Sequence, residues 1–448
     1  MSTRLPTEVI GDGYTSDFAW ELLEELVSIG ERSAGHDGEF EGARLVENAF
    51  EEIGLREIRV DEFDVPGWWR ESSGITLVDR GSRHDADYEI IALPGTPAAT
   101  LEADLVDVGY GIPGELPDSV DGAIVLARSD NPEDVERWYH RMEKYAAAVD
   151  NGAVGFVYRN HVEGQLPPTG EIGDHSRPAP IPAVGVSKEF GEQLARYADD
   201  GASVRLEVDC RNEPTTSPNV SGALGPDTDE EVLVTAHVDA HDISQGAKDN
   251  GAGTVLVCEI ARLLSTVEDE LETKVRFVPF GSEEIGLFGA YDWADRHGET
   301  VKCVMNIDGA GGSRTPSVRG TDSFESMAAP FERAADRIGV PVEVGSQMTP
   351  HSDAWPFAER GIPAVTVGSK REESGRGWGH THADTLDKLD PRDLRSLAVV
   401  YAEAALELAD PDVETPRRDR SEIREDLDEH YATELQVAGR WHFEEEEE

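Results

Sequence analysis

Residues 232–264 read VLVTAHVDAHDISQGAKDNGAGTVLVCEIARLL. Val232–Ala236 is a short, nearly continuous apolar run that stops at His237, as a buried strand does. A polar, glycine-rich turn then leads into a helix over 253–264, with Val255, Leu256, Ile260 and Leu263 on one side. Toward the C-terminus the alternation continues. Strands at Lys274–Phe280, Val301–Ile307 and 363–367 are interleaved with helices at Leu287–Arg296, 324–338 and 391–408. Apolar strands alternating with amphipathic helices predict an α/β fold, in which a mixed, mostly parallel sheet is covered by helices on both faces. Functional groups in such a sheet gather at the carboxyl ends of the strands.

Upstream, residues 16–27 predict a capped helix with Phe18, Leu22, Leu23 and Leu26 on one face, and a second helix follows at 38–53, ending before Gly54. A strand is expected at Gly74–Val78, and Trp68 and Trp69 are read as buried rings on a loop after Pro66-Gly67. Between 95 and 212 the texture changes. Strand-like runs at Leu105–Val108, Ala123–Ala127, Val154–Tyr158, Ala183–Val186 and Val204–Val208 are broken by Gly, Pro and Asp, with one helix over about 132–150. The expected organisation is therefore a main domain in two parts, 1–94 and 213–410, around a strand-rich insert at 95–212. An acidic tail, 411–448, ends in five Glu and is expected to be poorly ordered at its end.

The 448 residues contain 40 Lys and Arg against 92 Asp and Glu, a formal charge of −52. A nucleic acid or an anionic membrane would be repelled by such a chain. Seven of the basic residues are Lys, and the acid is spread along the whole length. In dilute buffer this charge repels itself, whereas at 1 M salt the screening length falls to about 3 Å. The composition predicts a protein of concentrated salt, from a halophile; the alternative is an ordinary acidic protein. Cys210, Cys258 and Cys303 are widely spaced and form no CxxC pair, which argues against a disulfide framework and a thiolate metal site. No run approaches the ~18 apolar residues of a membrane span, and residues 1–30 lack a basic-then-apolar signal, so a cytoplasmic protein is expected.

Five stretches put His, Asp or Glu where strands stop. His237-Val238-Asp239 offers an imidazole with a carboxylate able to fix its tautomer, though a His at a strand end is more often an ordinary polar residue. Gly246–Gly253 precedes a helix, where Asp249 or Asn250 is either a cap or part of a site. Its spacing and acid exclude a phosphate loop. Glu283 and Glu284 end an apolar strand. Adjacent carboxylates there are costly without a cation or proton, unless the turn is solvated. One of the two can bind metal while the other acts as a base. Asp308 follows the strand Val301–Ile307, and Gly379–Thr385 (GHTHADT) supplies His380 and His382. Together these donors suit two Zn²⁺-like ions, which at about 3.5–4 Å separation polarise a carbonyl and acidify a shared water.

The motifs HVD, GAKDNGAG, SEEIGLFGA, NIDGAG and HTHADT, in this order, resemble the co-catalytic zinc exopeptidases, a family that includes bacterial leucyl aminopeptidases, glutamate carboxypeptidase and plasma-type dipeptidases. The resemblance covers about 213–410. The stretches DGAIVLAR, NGAVGFVYRN and IPAVGVSKEFGEQL of the insert resemble a protease-associated domain. It implies that His237 and Asp308 hold one zinc, Glu284 and His380 the other, and Asp249 bridges both. Glu283 is then the general base and Asp239 orients His237. Co²⁺ or Mn²⁺ are expected to substitute in vitro. The resemblance also implies a cis peptide between Asp249 and Asn250, and it selects His380 over His382. The loop His351–Phe357 matches a family loop near the substrate. The expected activity is hydrolysis of terminal residues from peptides, foremost as an aminopeptidase. Alternatives are a dipeptidase or carboxypeptidase of the same family, a single-zinc glutaminyl cyclase, or a binding module. The insert is expected to cover the pocket, to mediate a homodimer, or both.

Overall fold

The structure, a computed structural model, describes residues 4–133, 135, 137–174, 178–370 and 377–443. The chain divides into two compact units, each built from separated segments. The first comprises Met1–Val65, Thr216–Gly379 and Asp384–Leu427; the second comprises Pro66–Thr215, His380–Ala383 and Asp428–Glu448.

In the first unit the strands run in the order Glu343–Val344, Pro316–Arg319, Ala364–Ser369, Val301–Ile307, Glu231–His237, Lys274–Phe280, and then the end of the long strand Ser203–Leu224. The strands Ala364–Ser369, Val301–Ile307, Glu231–His237 and Lys274–Phe280 are mutually parallel, and antiparallel partners flank them. Three of the four are buried along their whole length, as strands covered on both faces must be. Phe277 and Phe280 show the two faces directly, since residues an odd number apart point to opposite sides. Phe277 lies 6.4 Å from Phe50 of the helix Asp37–Ile53, and Phe280 lies 6.3 Å from Trp293 of the helix Phe288–His297. The mixed, mostly parallel α/β architecture is thus the one the strand–helix alternation predicts. In register, Phe280 pairs with His237 and Asn306 with Thr235, so these three strands stop along one edge.

In the second unit the strands run in the order Ile90–Ala92, Ala183–Val186, Gly155–Arg159, Ile124–Arg128, Ala99–Asp107 and the start of Ser203–Leu224. This unit begins at Pro66 and takes in the helix Glu429–Val437 from the tail, with Ala438 in its core. The terminal Glu residues, 444–448, lie outside the described residues. Trp68 and Trp69 sit on one long strand, Arg56–Leu77, and not on a loop. Trp68 is buried, as expected, and its indole N–H donates to the Thr96 carbonyl at 3.1 Å. The helix expected over 132–150 starts only at Arg141, because His140 and Glu143 form a reciprocal cap there. A helix at Lys188–Asp199 escaped the sequence reading. Gly191 interrupts its pattern, and a Cβ there would lie 2.2 Å from the Arg159 side chain. Among the described residues no helix is long and apolar enough to cross a membrane.

Candidate metal centre

Adjacent parallel strands deliver the site. His237 is the last residue of its strand, Glu283 and Glu284 follow the strand ending at Phe280, and Asp308 follows Ile307. Asp249 comes from the turn Ala247–Gly251, and the Asp249–Asn250 peptide is cis, as the family resemblance implies. The Asn250 amide locks this turn, accepting from the Gly253 N–H at 3.0 Å and donating to the Ile307 carbonyl at 2.8 Å. Position 253 must be glycine, because a Cβ would lie 2.2 Å from the Asn250 side-chain oxygen.

His237, Asp249 and Asp308 place ligand atoms within 4.8 Å of one another, and so do His237, Glu283 and Glu284. His237 Nε2 is 3.5 Å from Asp249 Oδ1 and 3.9 Å from Glu283 Oε2; it is buried and makes no hydrogen bond. The other ring nitrogen faces Asp239, at 3.3 Å from its carboxylate and 3.1 Å from its carbonyl. The Asp239 carboxylate also accepts the Glu283 and Glu284 backbone N–H groups, each at 3.1 Å. One buried Asp therefore fixes both the imidazole and the backbone of the glutamate pair. Asp308 accepts the Ser352 hydroxyl at 2.6 Å, Asn306 donates to that hydroxyl at 2.7 Å, and Thr235 donates to Asn306 at 2.8 Å. Asp384 accepts the N–H groups of Lys248 and Asp249 at 2.9 and 3.0 Å, so it holds the turn that carries Asp249.

Burial drives the Glu283 carboxyl well above the usual range; His237 opposes this, and the charges of Glu284, Asp353 and Asp308 add to it. Glu284 is raised by burial, against the pull of His241. Asp353 is raised well up by burial, and neither of its buried oxygens has a hydrogen-bond partner. Asp384 rises to about 6, through burial and then the Asp249 charge. Burial alone would push the His237 imidazole down, but Glu283, Asp239 and Asp249 outweigh it and raise it. Carboxylates this close in a poorly hydrated space require cations or protons. An imidazole nitrogen aimed at them with no hydrogen bond of its own fits a cation better. The oxygen–nitrogen donor set suits zinc.

Several supporting residues carry no local signal. His241 Nε2 lies 3.0 Å from Glu284 Oε2, with both side chains buried. Its one sequence cue is a place four residues after His237 in the same loop. The buried Arg32 guanidinium donates to the carbonyls of Val238, Gln245 and Gly246 at 2.9–3.1 Å, tying the His237 loop to the Asp249 turn. Burial lowers this group to about 10. Glu39 accepts from Ser217 Oγ and the Ser282 N–H at 2.8 and 2.9 Å, and so steadies Ser282 at φ 55° beside Glu283. His380 sorts with the second unit, where its carbonyl accepts the Thr169 N–H at 2.9 Å; His382 is exposed.

Comparison with known proteins places these residues in context. The pattern of peptidase family M28 matches residues 219–405, and that of the PA domain matches 94–194. The chain is 28% identical over 417 residues to aminopeptidase YwaD of Bacillus subtilis, covering 88% of this chain and 85% of that protein. It is 22% identical over 416 residues to carboxypeptidase Q of Mus musculus, covering 89% and 87%. A zinc aminopeptidase structure from Bacillus subtilis is similar with a TM-score of 0.70 at 26% identity, covering 87% of this chain and 93% of that one. A peptidase M28 precursor from Shewanella amazonensis shares the fold, with a TM-score of 0.76 at 24% identity and coverage of 92% and 98%.

Proposed function

We propose, from the match to peptidase family M28 over residues 219–405 and to the PA domain over 94–194, that the chain is a zinc-dependent aminopeptidase removing residues from the N-terminus of peptides. One observation carries the reading: His237, Asp249, Asp308, Glu283 and Glu284 converge at the ends of three neighbouring parallel strands and one helix-leading turn. In this assignment His237 and Asp308 would hold one zinc and Glu284 and His380 the other, with Asp249 serving both. For His380 the support is the motif order.

When bound, the ions supply positive charge that acidifies a water and stabilises the oxyanion developing on the scissile carbonyl. The remaining work falls to side chains. Glu283, mostly enclosed and 3.9 Å from His237 Nε2, would take the proton from the attacking water and return it to the departing amine. Asp239 keeps the His237 ring in one orientation and tautomer through Nδ1, leaving Nε2 directed into the site. Ser352 donates to the Asp308 carboxylate and holds it in place.

A hydrolysis panel in molar NaCl with Zn²⁺, Co²⁺ or Mn²⁺ tests the reading. Aminoacyl-anilides are expected to be cleaved and N-blocked peptides to resist. Cleavage confined to N-blocked peptides would transfer the chain to carboxypeptidase chemistry. The same frame gives His241 a role as a positioning residue for Glu284. His241→Ala is expected to weaken zinc at the Glu284 side about 10- to 100-fold, the usual effect of losing a ligand's outer hydrogen bond. A competitive chelator titration reads this, and an unchanged second zinc affinity removes the role.

A further inference from the structure

Four residues of the stretch GHTHADT, His380–Ala383, sort with the second unit, while Gly379 before them and Asp384 after them sort with the first. We propose that the buried loop Leu166–Gly170 of the second unit is a positioning platform for the assigned ligand His380, acting through the Thr169 N–H, so that the insert takes part in metal binding. The proposal rests on the peptidase reading above and gives the insert a role within it.

The backbone of His380 is the first argument. Its φ is 58°, in the left-handed region that a residue with a Cβ enters only at a cost. Such a conformation persists where the surrounding structure holds it. Here the Thr169 N–H donates to the His380 carbonyl at 2.9 Å. That bond fixes the peptide on the C-terminal side of His380 and so restrains the Cα that carries the imidazole.

The stiffness of the donor is the second. Thr169 is 1% exposed, and Leu166–Gly170 is buried throughout. Pro167 and Pro168 have fixed φ and no N–H, so Thr169 supplies the first amide donor after Leu166. The loop is tied into the second unit on both sides. The Leu166 carbonyl accepts the Asn160 amide at 2.6 Å, the Glu171 carbonyl accepts Arg141 Nε at 2.8 Å, and the Ile172 N–H donates to the Pro94 carbonyl at 3.0 Å. Arg70 Nη2 donates to Thr169 Oγ1 at 3.3 Å. On the strand Ala183–Val186, a Cβ at Gly185 would lie 2.0 Å from the Pro168 carbonyl oxygen, so the loop rests directly on the sheet. A proline-stiffened loop bonded at five points therefore holds the strained residue, as the outer partners of a metal ligand do.

Linkage gives the test. A loop that favours zinc through His380 must itself be stabilised by zinc, by the same factor. Hydrogen–deuterium exchange of the whole protein in molar NaCl, with zero and two equivalents of Zn²⁺, reads residues 166–172. Their exchange is expected to slow about tenfold on zinc binding, with the strand Ala99–Asp107 of the same unit unchanged. His380→Ala is expected to lose one of the two zincs and, with it, the slowing. Gly185→Ala, which displaces Pro168, is expected to weaken one zinc about 10- to 100-fold in a chelator titration and to leave the other. A loop indifferent to zinc overturns the proposal, and so does slowing that survives in His380→Ala. Two wild-type zinc affinities in Gly185→Ala overturn it as well; should that variant fail to fold, exchange in the unaltered chain still decides. Leucyl-anilide turnover in the same samples reports separately on the peptidase reading. Turnover with an indifferent loop overturns the platform alone, whereas zinc-linked slowing in a protein that cleaves no peptide supports the platform and overturns the peptidase.

Discussion

Glu283→Gln is expected to retain zinc while kcat falls by about 10²–10⁴, the range that a general acid–base group contributes. The substitution keeps the shape of the side chain and leaves its backbone N–H on Asp239, so the scaffold of the site is unchanged. It removes only the ability to accept a proton. Glu284→Gln provides the contrast, because that residue is assigned as a ligand: zinc affinity and turnover are expected to fall together. Metal content by elemental analysis, measured beside kcat, separates the two outcomes. Full turnover in Glu283→Gln would eliminate the base assignment, and loss of metal in that variant would move Glu283 into the ligand set.

The division of labour between Glu283 and Glu284 shows what is legible in a sequence of this kind. Each motif is a run of apolar residues that ends in a polar one, and a parallel sheet brings such endings to a common edge. His237, Glu283, Glu284 and Asp308 could therefore be nominated from local pattern, and the register of Phe280 on His237 brings them together. Arg32 and Glu39 could not. They reach the site across about 200 residues of chain, Arg32 from the connection after the helix Phe18–Ser28 and Glu39 from the helix Asp37–Ile53, where local pattern speaks only of packing. His241 was hidden for a different reason: a second His in a loop has no period to mark it. The fold departs from its local pattern for the same reason. Pro66 and Gly67 normally break a strand, yet the strand Arg56–Leu77 runs through them. The helix Lys188–Asp199 was lost behind Gly191, whose presence answers to Arg159 and not to helix propensity. In each case the residue was chosen by a distant neighbour, which a window of sequence does not contain.

Removal of salt is expected to unfold the protein. Between 1 M and 0.01 M the screening length grows from about 3 Å to about 30 Å, so charges that ignore one another in brine come to interact across a whole domain. With 92 acidic against 40 basic residues, most of the pairs so revealed are repulsive. Local examples are Glu21 with Glu25 and Glu47 with Glu51, like charges one helical turn apart on the helices Phe18–Ser28 and Asp37–Ile53. Attractive surface pairs such as Arg205–Glu102 strengthen as salt is withdrawn, but exposed pairs contribute only about 0–1 kcal/mol each and too few exist to compensate. Global stability of about 5–15 kcal/mol leaves little margin against an excess of this size. Near-UV circular dichroism during dialysis from 2 M to 10 mM NaCl should show the loss of tertiary structure, with Tm falling by about 10 °C or more well before the end point. Sucrose at equal osmolarity should not rescue it, because a neutral solute screens nothing. A chelator added in 2 M NaCl separates this from the metal centre. It strips the carboxylate cluster at one edge of the sheet and should abolish activity while the remainder of the chain stays folded. If stability is instead the same in molar and millimolar salt, the acidity has some purpose other than tolerance of brine.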